Sequence, residues 1–266
     1  MSVMKGFNIV IAGKGGTGKT LVSALLVRDQ IKHGSVLAID ADADSNLPEI
    51  LGVHVTKTVG DVRENLLALK TRHTDNIHMT PDKIMEQGIM EAIVEEHKFD
   101  LLVMGRGEGE GCYCAVNNIL RSIIDTQVKN YETTIIDSEA GLEHISRRTA
   151  RDVDVMLVVT DTSARGLTTA KRVVELSDEL RVDFGKILVV ANKVTGITRP
   201  IIDEQAKKHR LEVIGYLPVN DQVAENDAIG KSIWELPDDN PVVIAAQQVF
   251  RKIDEIRNEK QGRLKL

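Results

Sequence analysis

Cysteine is scarce. The 266-residue chain holds two, Cys112 and Cys114. Separated by a single residue, they cannot tie distant segments together, so a disulfide framework is excluded. Proline is scarce as well, six residues in all, and no Ser/Pro/Gly tract divides the chain. No linker is expected, and residues 1–266 read as one domain. An excess of positive charge is missing: 34 Lys and Arg stand against 40 Asp and Glu, a formal charge of −6. That balance argues against a nucleic-acid binder working through bulk charge. No apolar run approaches the ~18–20 residues of a membrane span. The start, Met1 to Gly6, lacks the basic region and apolar core of a secretory signal. The expected setting is a reducing cytoplasm, with neither nucleic acid nor membrane among the partners. What is present is a globular composition, 42% hydrophobic and 28% charged, in a chain long enough to bury a core without staples.

Short, nearly continuous apolar runs recur: Phe7–Ala12, Val36–Ile39, Leu101–Met104, Thr134–Ile136, Val155–Val159, Ile187–Ala191 and Val213–Tyr216. Runs without polar alternation suit strands covered on both faces. Amphipathic stretches lie between them, among them Val22–Ile31 and Leu167–Leu180. The last, Pro241–Asn258, places Val242, Ala246, Val249, Phe250 and Ile253, with Ala245 and Ile256, on one helical face. The alternation predicts an α/β fold: a doubly wound, mostly parallel sheet with helices on both faces. Active sites in that architecture lie at the carboxyl ends of strands. Residues 52–98 are the least regular part and are expected to hold helices and a short loop. Gly105–Gly111 reads as a surface loop, and a helix is expected from Ala115 to Val128.

Gly13-Lys14-Gly15-Gly16-Thr17-Gly18-Lys19-Thr20 follows the first run directly and opens a helix. It matches G-x-x-x-x-G-K-[ST]. The glycines let consecutive backbone amides face phosphate oxygens, and the helix amino terminus adds favourable potential. Lys19 would neutralise the β and γ phosphates, and the Thr20 hydroxyl would ligate Mg²⁺. Gly13, Gly15 and Gly18 also fit G-x-G-x-x-G, and Asp40 stands where a dinucleotide fold keeps its ribose-binding acid. Lys19-Thr20 decides against that alternative, because a dinucleotide site needs neither a lysine nor a metal-binding hydroxyl there. The full string K-G-G-x-G-K-T resembles the deviant phosphate loop of the MinD/ParA-like ATPases, a family that includes the nitrogenase iron protein and several metal-insertion ATPases. The resemblance implies that Lys14 reaches across a homodimer to the partner's nucleotide.

Asp40, Asp42 and Asp44 stand at alternate positions after the second run. Three carboxylates so placed repel one another unless a cation is near, so the segment reads as a Mg²⁺- and water-handling loop, or more simply as a solvated turn. Its position resembles the family's first switch, which implies that Asp42, or secondly Asp44, positions the attacking water while Asp40 holds a metal-bound one. Thr133 to Asp137 ends a strand with an acid, the shape of a Walker B motif, and Asp137 would hold Mg²⁺ through water. Asp137-Ser138-Glu139-Ala140-Gly141 gives D-x-x-x-G, where Gly141 would let the backbone approach the γ phosphate. Glu139 could polarise water or pair with Arg147 or Arg148, and the structural or switch role is the preferred reading. Asn192-Lys193 closes a later strand and Leu217-Pro218-Val219-Asn220 follows the next. By resemblance, the Asn-Lys pair reads the adenine, with Asn192 assigned to it, and Pro218 and Asn220 border it.

Cys112-Tyr113-Cys114 precedes a helical pattern. One chain offers two thiolates where Zn²⁺ and related ions prefer four ligands, so a two-fold dimer would complete a Cys₄ site. Two ordinary reduced cysteines are the other reading. The C-x-C, together with the segment from Glu139 to Arg148, is similar to the nickel-insertion accessory ATPases of carbon monoxide dehydrogenase and acetyl-CoA synthase. The similarity runs from Asn8 to about Trp234. It implies Ni²⁺ or Zn²⁺ held by Cys112 and Cys114 at a dimer interface, and ATP hydrolysis (to ADP and phosphate) coupled to nickel delivery into one of those enzymes. The seven histidines are scattered and read as surface or packing residues, His144 alone lying near a switch. Two alternatives stand beside this reading: a MinD/ParA-like positioning ATPase without metal chemistry, and an electron-transfer ATPase like the nitrogenase iron protein.

Overall fold

The computed structural model describes residues 6–71, 80–105, 127–138, 153–179 and 185–263. The first apolar run forms β1 (Phe7–Gly13), buried throughout, and α1 (Lys19–Gln30) follows the phosphate loop. Then come β2 (Val36–Ala41) and a short α2 (Leu47–Leu51). The irregular stretch holds α3 (Val59–Thr71) and α4 (Pro81–Ala92). It also holds β3 (Val94–Glu95), which sequence reasoning missed. A two-residue strand carries no periodicity to read. β4 (Asp100–Val103), β5 (Thr133–Ser138) and β6 (Val155–Thr160) continue the sheet. After α5 (Ala164–Glu179) come β7 (Lys186–Val194), α6 (Thr198–His209) and β8 (Val213–Pro218). α7 (Asp221–Ala228), a 3-10 turn (Ile233–Glu235) and α8 (Pro241–Arg263) follow. Of the helix expected from Ala115 to Val128, residues 115–126 lie outside the described residues, and Val128 opens a 3-10 turn, Val128–Asn130.

The eight strands form one sheet in the order β3-β4-β2-β5-β1-β6-β7-β8. All neighbours are parallel except β3 and β4. This is the doubly wound architecture that the apolar runs predict. β1 shows why its run is continuous rather than alternating. Phe7, Ile9 and Ile11 pack on one face with Leu25 and Leu26 of α1 and Phe250 and Ile253 of α8. Val10 and Ala12 pack on the other with Leu167 and Ala170 of α5 and Ile202 of α6. Side chains alternate between faces, and both faces are covered.

Most of the stripe predicted for α8 is buried: Val242, Ala246, Val249, Phe250 and Ile253 enter the core, Ala245 and Ile256 pack at its margin, and Val243, outside the predicted stripe, is buried with them. The helix runs past Asn258. Its last turns tie down the amino edge of the sheet. The Arg257 guanidinium lies 5.0 Å from the Phe7 ring centre and donates to Thr133 Oγ1 at 2.8 Å, while Lys260 pairs with Asp154. That anchorage is at the end opposite the phosphate loop. No helix among the described residues is long and apolar enough to cross a membrane.

Strand order also places the site. From β1 the chain builds outward to β2, β4 and β3, and β5 fills the gap beside β1; β6, β7 and β8 then extend the other way. Successive strands change sides between β5 and β6, next to β1. A crevice opens at the carboxyl edge at such a reversal.

Candidate nucleotide site at the carboxyl edge

The loop from Gly13 to Thr20 leaves β1 at that crevice. Gly13 has φ 148°, and a Cβ there would lie 2.2 Å from the Val159 carbonyl oxygen of β6, so only glycine permits the strand to turn so close to its neighbour. At Gly15 and Gly16 an added Cβ would meet nothing within 4 Å: the mouth of the loop is open. Thr17 is buried, and its hydroxyl donates to Lys14 O at 2.8 Å. Gly18 caps α1 in the left-handed region, with no side chain accepting from the helix amino terminus and no acid in its first turn. Those first N–H groups and the positive end of the helix are therefore available to an anion. Lys19 is buried, Thr20 is half-buried beside it, and Lys14 is exposed.

The acids converge on the same edge. Asp40 of β2 and Asp137 of β5 are register partners, 0% and 1% exposed. Asp40 Oδ1 accepts the N–H of Asp42 and Oδ2 that of Leu47, both at 3.0 Å. Neither carboxylate oxygen of Asp137 has a hydrogen-bond partner at normal geometry. Burial, and then the negative charge of Asp137, pushes Asp40 up to about 7 despite its two backbone donors. Burial pushes Asp137 up to about 6, although the nearby Thr20 and Ser23 hydroxyls and the Lys19 ammonium favour its charged form. Two buried carboxylates side by side, one with neither oxygen hydrogen-bonded, make a donor set that suits a cation. The donors are hard oxygens, with the Thr20 hydroxyl close by, and they fit Mg²⁺.

Local hydrogen bonding explains much of the alternate spacing of the acids. Asp40 accepts from Asp42 N–H, and Asp42 Oδ1 accepts from Asp44 N–H at 3.1 Å. Each is a side chain closing a turn on the residue two positions on. Asp40 thus braces the loop from its own strand to the start of α2. Asp42 is half-buried, its charge felt by both Asp40 and Asp137, and Asp44 is exposed.

At β7 the carboxyl end is a bulge. Pairing with β8 shifts register between Ala191 and Val194, and Lys193 has φ 57°. Asn192 is buried; its Nδ2 donates to Thr17 O at 2.9 Å and its Oδ1 accepts from Lys193 N–H at 2.8 Å. Pro218 and Asn220 stand at the same edge, joined to β7 through Val219 N–H and Val194 O at 3.2 Å. The Asn220 side-chain oxygen caps α7 through Val223 N–H at 3.0 Å and accepts from Asn240 Nδ2 at 3.1 Å. Cys112, Cys114, Glu139, Gly141 and His144 lie outside the described residues. Ser138 has no role of its own in the sequence reading, and Lys193 enters it only as the neighbour of Asn192 in an adenine-reading pair. Ser138 donates to Ile11 O at 2.6 Å, joining β5 to β1, and Lys193 Nζ donates to Gly16 O at 3.2 Å. The adjacency of Lys193 to Asn192 was the available signal.

Away from this edge, Asp29, His33 and Asp254 gather oxygen and nitrogen atoms within 4.8 Å of one another. Lys32 lies 3.9 Å from Asp29 and Arg257 3.9 Å from Asp254, so these carboxylates already have cations beside them.

An open loop ending in an uncapped helix, with a lysine and a threonine in its first turn and a buried pair of aspartates alongside, is built to hold a nucleoside triphosphate and its divalent cation. Fold and loop together define a P-loop nucleotide-binding protein. Residues 8–233 match the CobQ/CobB/MinD/ParA nucleotide binding domain, and the chain belongs to that family of ATPases. It is 51% identical over 246 residues to an uncharacterized ATP-binding protein of Methanocaldococcus jannaschii, spanning 92% of this chain and 97% of that one. It is 31% identical over 244 residues to the carbon monoxide dehydrogenase accessory protein CooC of Rhodospirillum rubrum, spanning 86% and 89%. The MinD cell division protein of Aquifex aeolicus superposes with a TM-score of 0.67 over 94% of this chain and 97% of that one, at 22% identity, and shares the fold.

Proposed function

We propose that the chain is a single-domain, ATP-hydrolysing metallochaperone that closes as a homodimer and delivers nickel to carbon monoxide dehydrogenase or acetyl-CoA synthase. The nucleotide half of the reading is carried by the orphaned, buried Asp137 carboxylate beside Asp40 at the mouth of the loop. Gly13, Lys14, Gly15, Gly16, Thr17 and Gly18 surround the phosphates, and Lys19 offsets their charge. Thr20, Asp40 and Asp137 would hold Mg²⁺, which supplies charge neutralisation at the β and γ phosphates. Asp42, or else Asp44, orients the attacking water, so catalysis is by positioning and charge. The 40–47 loop hangs on Asp40 through two backbone bonds. Loss of the γ phosphate then has a direct route to α2. Gly141 would approach that phosphate, and exposed Lys14 would reach the partner's nucleotide.

The metal half is supported by the 31% identity to CooC over most of both chains, joined to Cys112 and Cys114. Two thiolates per chain become four per dimer, a soft set suited to Ni²⁺ or Zn²⁺. The test is metal content and mass by size exclusion in four states: without additions, with Mg-ATP, with Ni²⁺ or Zn²⁺, and with both. Dimers that hold metal in the wild type should lose it in Cys112→Ser/Cys114→Ser. Equal metal in the double variant ends the metallochaperone reading.

The fold shared with MinD favours a second reading, a positioning ATPase without metal chemistry. ATP-dependent co-sedimentation with liposomes or nonspecific DNA, with no metal bound, would establish it. An iron-protein-like ATPase would instead purify brown under anaerobic conditions.

A further inference from the structure

We propose that Asn192 and Lys193 form a latch that holds the phosphate loop in its anion-binding shape, so that they act on the phosphates through the loop. This rests on the reading of the loop as a triphosphate site. Consecutive side chains of a strand point to opposite faces, yet here both reach the same loop, on consecutive carbonyls: Asn192 Nδ2 on Thr17 O and Lys193 Nζ on Gly16 O. The bulge after Ala191 and the left-handed backbone of Lys193 break the alternation and bring this about. A non-glycine residue pays about 1 kcal/mol or more for that conformation, so something must hold it. Lys193 N–H on Asn192 Oδ1 is part of that hold. The same bond fixes which end of the amide faces the loop, since an N–H needs the oxygen.

Peptide geometry turns these anchors into loop shape. In a trans peptide the C=O and the following N–H point opposite ways. Fixing Thr17 O on β7 therefore turns Gly18 N–H away from β7. The Gly16–Thr17 peptide is held from both sides, its carbonyl by Lys193 and its N–H by Lys14 O at 3.4 Å. A Cβ on Gly18 would lie 2.3 Å from Asn192 Nδ2, so the amide fills the space that a side chain at Gly18 would take. One N–H and one oxygen lone pair of the Asn192 amide hold the loop and the bulge, which fixes its orientation beside Gly18.

The test compares two ligands that share phosphates but not a base: Mg-ATP and Mg-tripolyphosphate. Asn192→Ala should weaken Mg-tripolyphosphate by about tenfold, for one buried hydrogen bond, and Mg-ATP by at least as much. Lys193→Met should weaken both by a smaller common factor, and Lys193→Arg should restore them. Lys193→Gly keeps the left-handed backbone without the ammonium and should match Lys193→Met. A loss confined to ATP, with tripolyphosphate unchanged, makes the pair a base reader and overturns the latch. Hydrogen exchange of residues 14–20 in the nucleotide-free protein separates this from failure of the ATPase reading. Exchange should quicken in Asn192→Ala and Lys193→Met and recover in Lys193→Arg even if no triphosphate binds. Unchanged exchange overturns the latch, whereas a wild type that binds neither ligand overturns the site reading.

Discussion

Asp40 and Asp137 are paired across the β2–β5 ladder, two carboxylates buried side by side where the phosphate loop opens. Neither arrangement nor burial suits two anions. Without a cation the pair favours protons: burial, with the charge of Asp137, pushes Asp40 up to about 7, and burial pushes Asp137 up to about 6, against an ordinary 3.8 for each.

The sign of the resulting pH dependence follows. Between about pH 4 and pH 7 the folded state binds more protons at these groups than the unfolded chain does. Their contribution to stability is therefore greatest in acid and is lost as the pH rises through the folded values. Asp137→Asn removes one charge and the repulsion it exerts on Asp40. In thermal unfolding without nucleotide or metal, the variant should melt higher than wild type near pH 8, and the gap should shrink toward pH 5. A variant that melts lower at both pH values contradicts this account.

Mg²⁺ with nucleotide should reverse the penalty. Cation binding displaces the protons, so wild-type affinity for Mg-ADP should fall by up to about tenfold per pH unit between about 7 and 6, and more steeply below, where two protons are displaced. Ligand at about a hundred times its dissociation constant stabilises a protein by roughly 2.7 kcal/mol. A melting shift with Mg-ADP should be largest near pH 8, and its Mg²⁺-dependent part should be absent in Asp137→Asn. Titration calorimetry at the two pH values checks the same point, and equal wild-type affinities in acid and base would refute it.

Much of this edge is legible before folding, and what is not has a physical cause. Apolar runs locate β1, β5 and β7, but stop short of the functional residues. The predicted Thr134–Ile136 becomes β5 through Ser138, and Ile187–Ala191 becomes β7 through Val194. The ladder is made by backbone groups, so it continues through Asp137, Ser138, Asn192 and Lys193, whose polarity belongs to the site. α1 likewise begins at Lys19 rather than Val22, because its first turn is phosphate loop. The direction of Asn192 could not be read, since it depends on a left-handed backbone one residue later. β3 and the bracing of the 40–47 loop by Asp40 needed coordinates for the same reason: neither leaves a pattern in one dimension.

The two loop glycines should fail differently. A Cβ at Gly13 meets a backbone oxygen, Val159 O at 2.2 Å, whereas one at Gly18 meets the tip of a side chain, Asn192 Nδ2 at 2.3 Å. Backbone in the middle of a sheet cannot yield, so Gly13→Ala should cost about 3 kcal/mol or more, or prevent folding. The Asn192 amide can swing away, so Gly18→Ala should fold with a loss nearer 1–2 kcal/mol and bind ATP at least tenfold more weakly. Denaturant unfolding and nucleotide titration of the pair decide it; equal stability losses would show that the Val159 contact is not rigid.

Lys14 offers the sharpest separation of binding from turnover. Its backbone carbonyl holds the loop by accepting from the Thr17 hydroxyl, while its side chain is exposed. Lys14→Ala therefore leaves the loop's internal bonds intact, and Mg-ATP should bind within a few-fold of wild type. If the ammonium completes the partner's site, hydrolysis should fall by on the order of a hundredfold or more, as when a trans-acting cation is withdrawn from phosphoryl transfer. Lys19→Ala, by contrast, should lose binding itself, because that lysine is buried at the helix start. Light scattering of each variant with ATP supplies the third reading, with Lys14→Ala remaining monomeric at concentrations where wild type dimerises. Full turnover by a monomeric Lys14→Ala would remove the dimer from the catalytic cycle, and with it the reason for expecting four thiolates in one place.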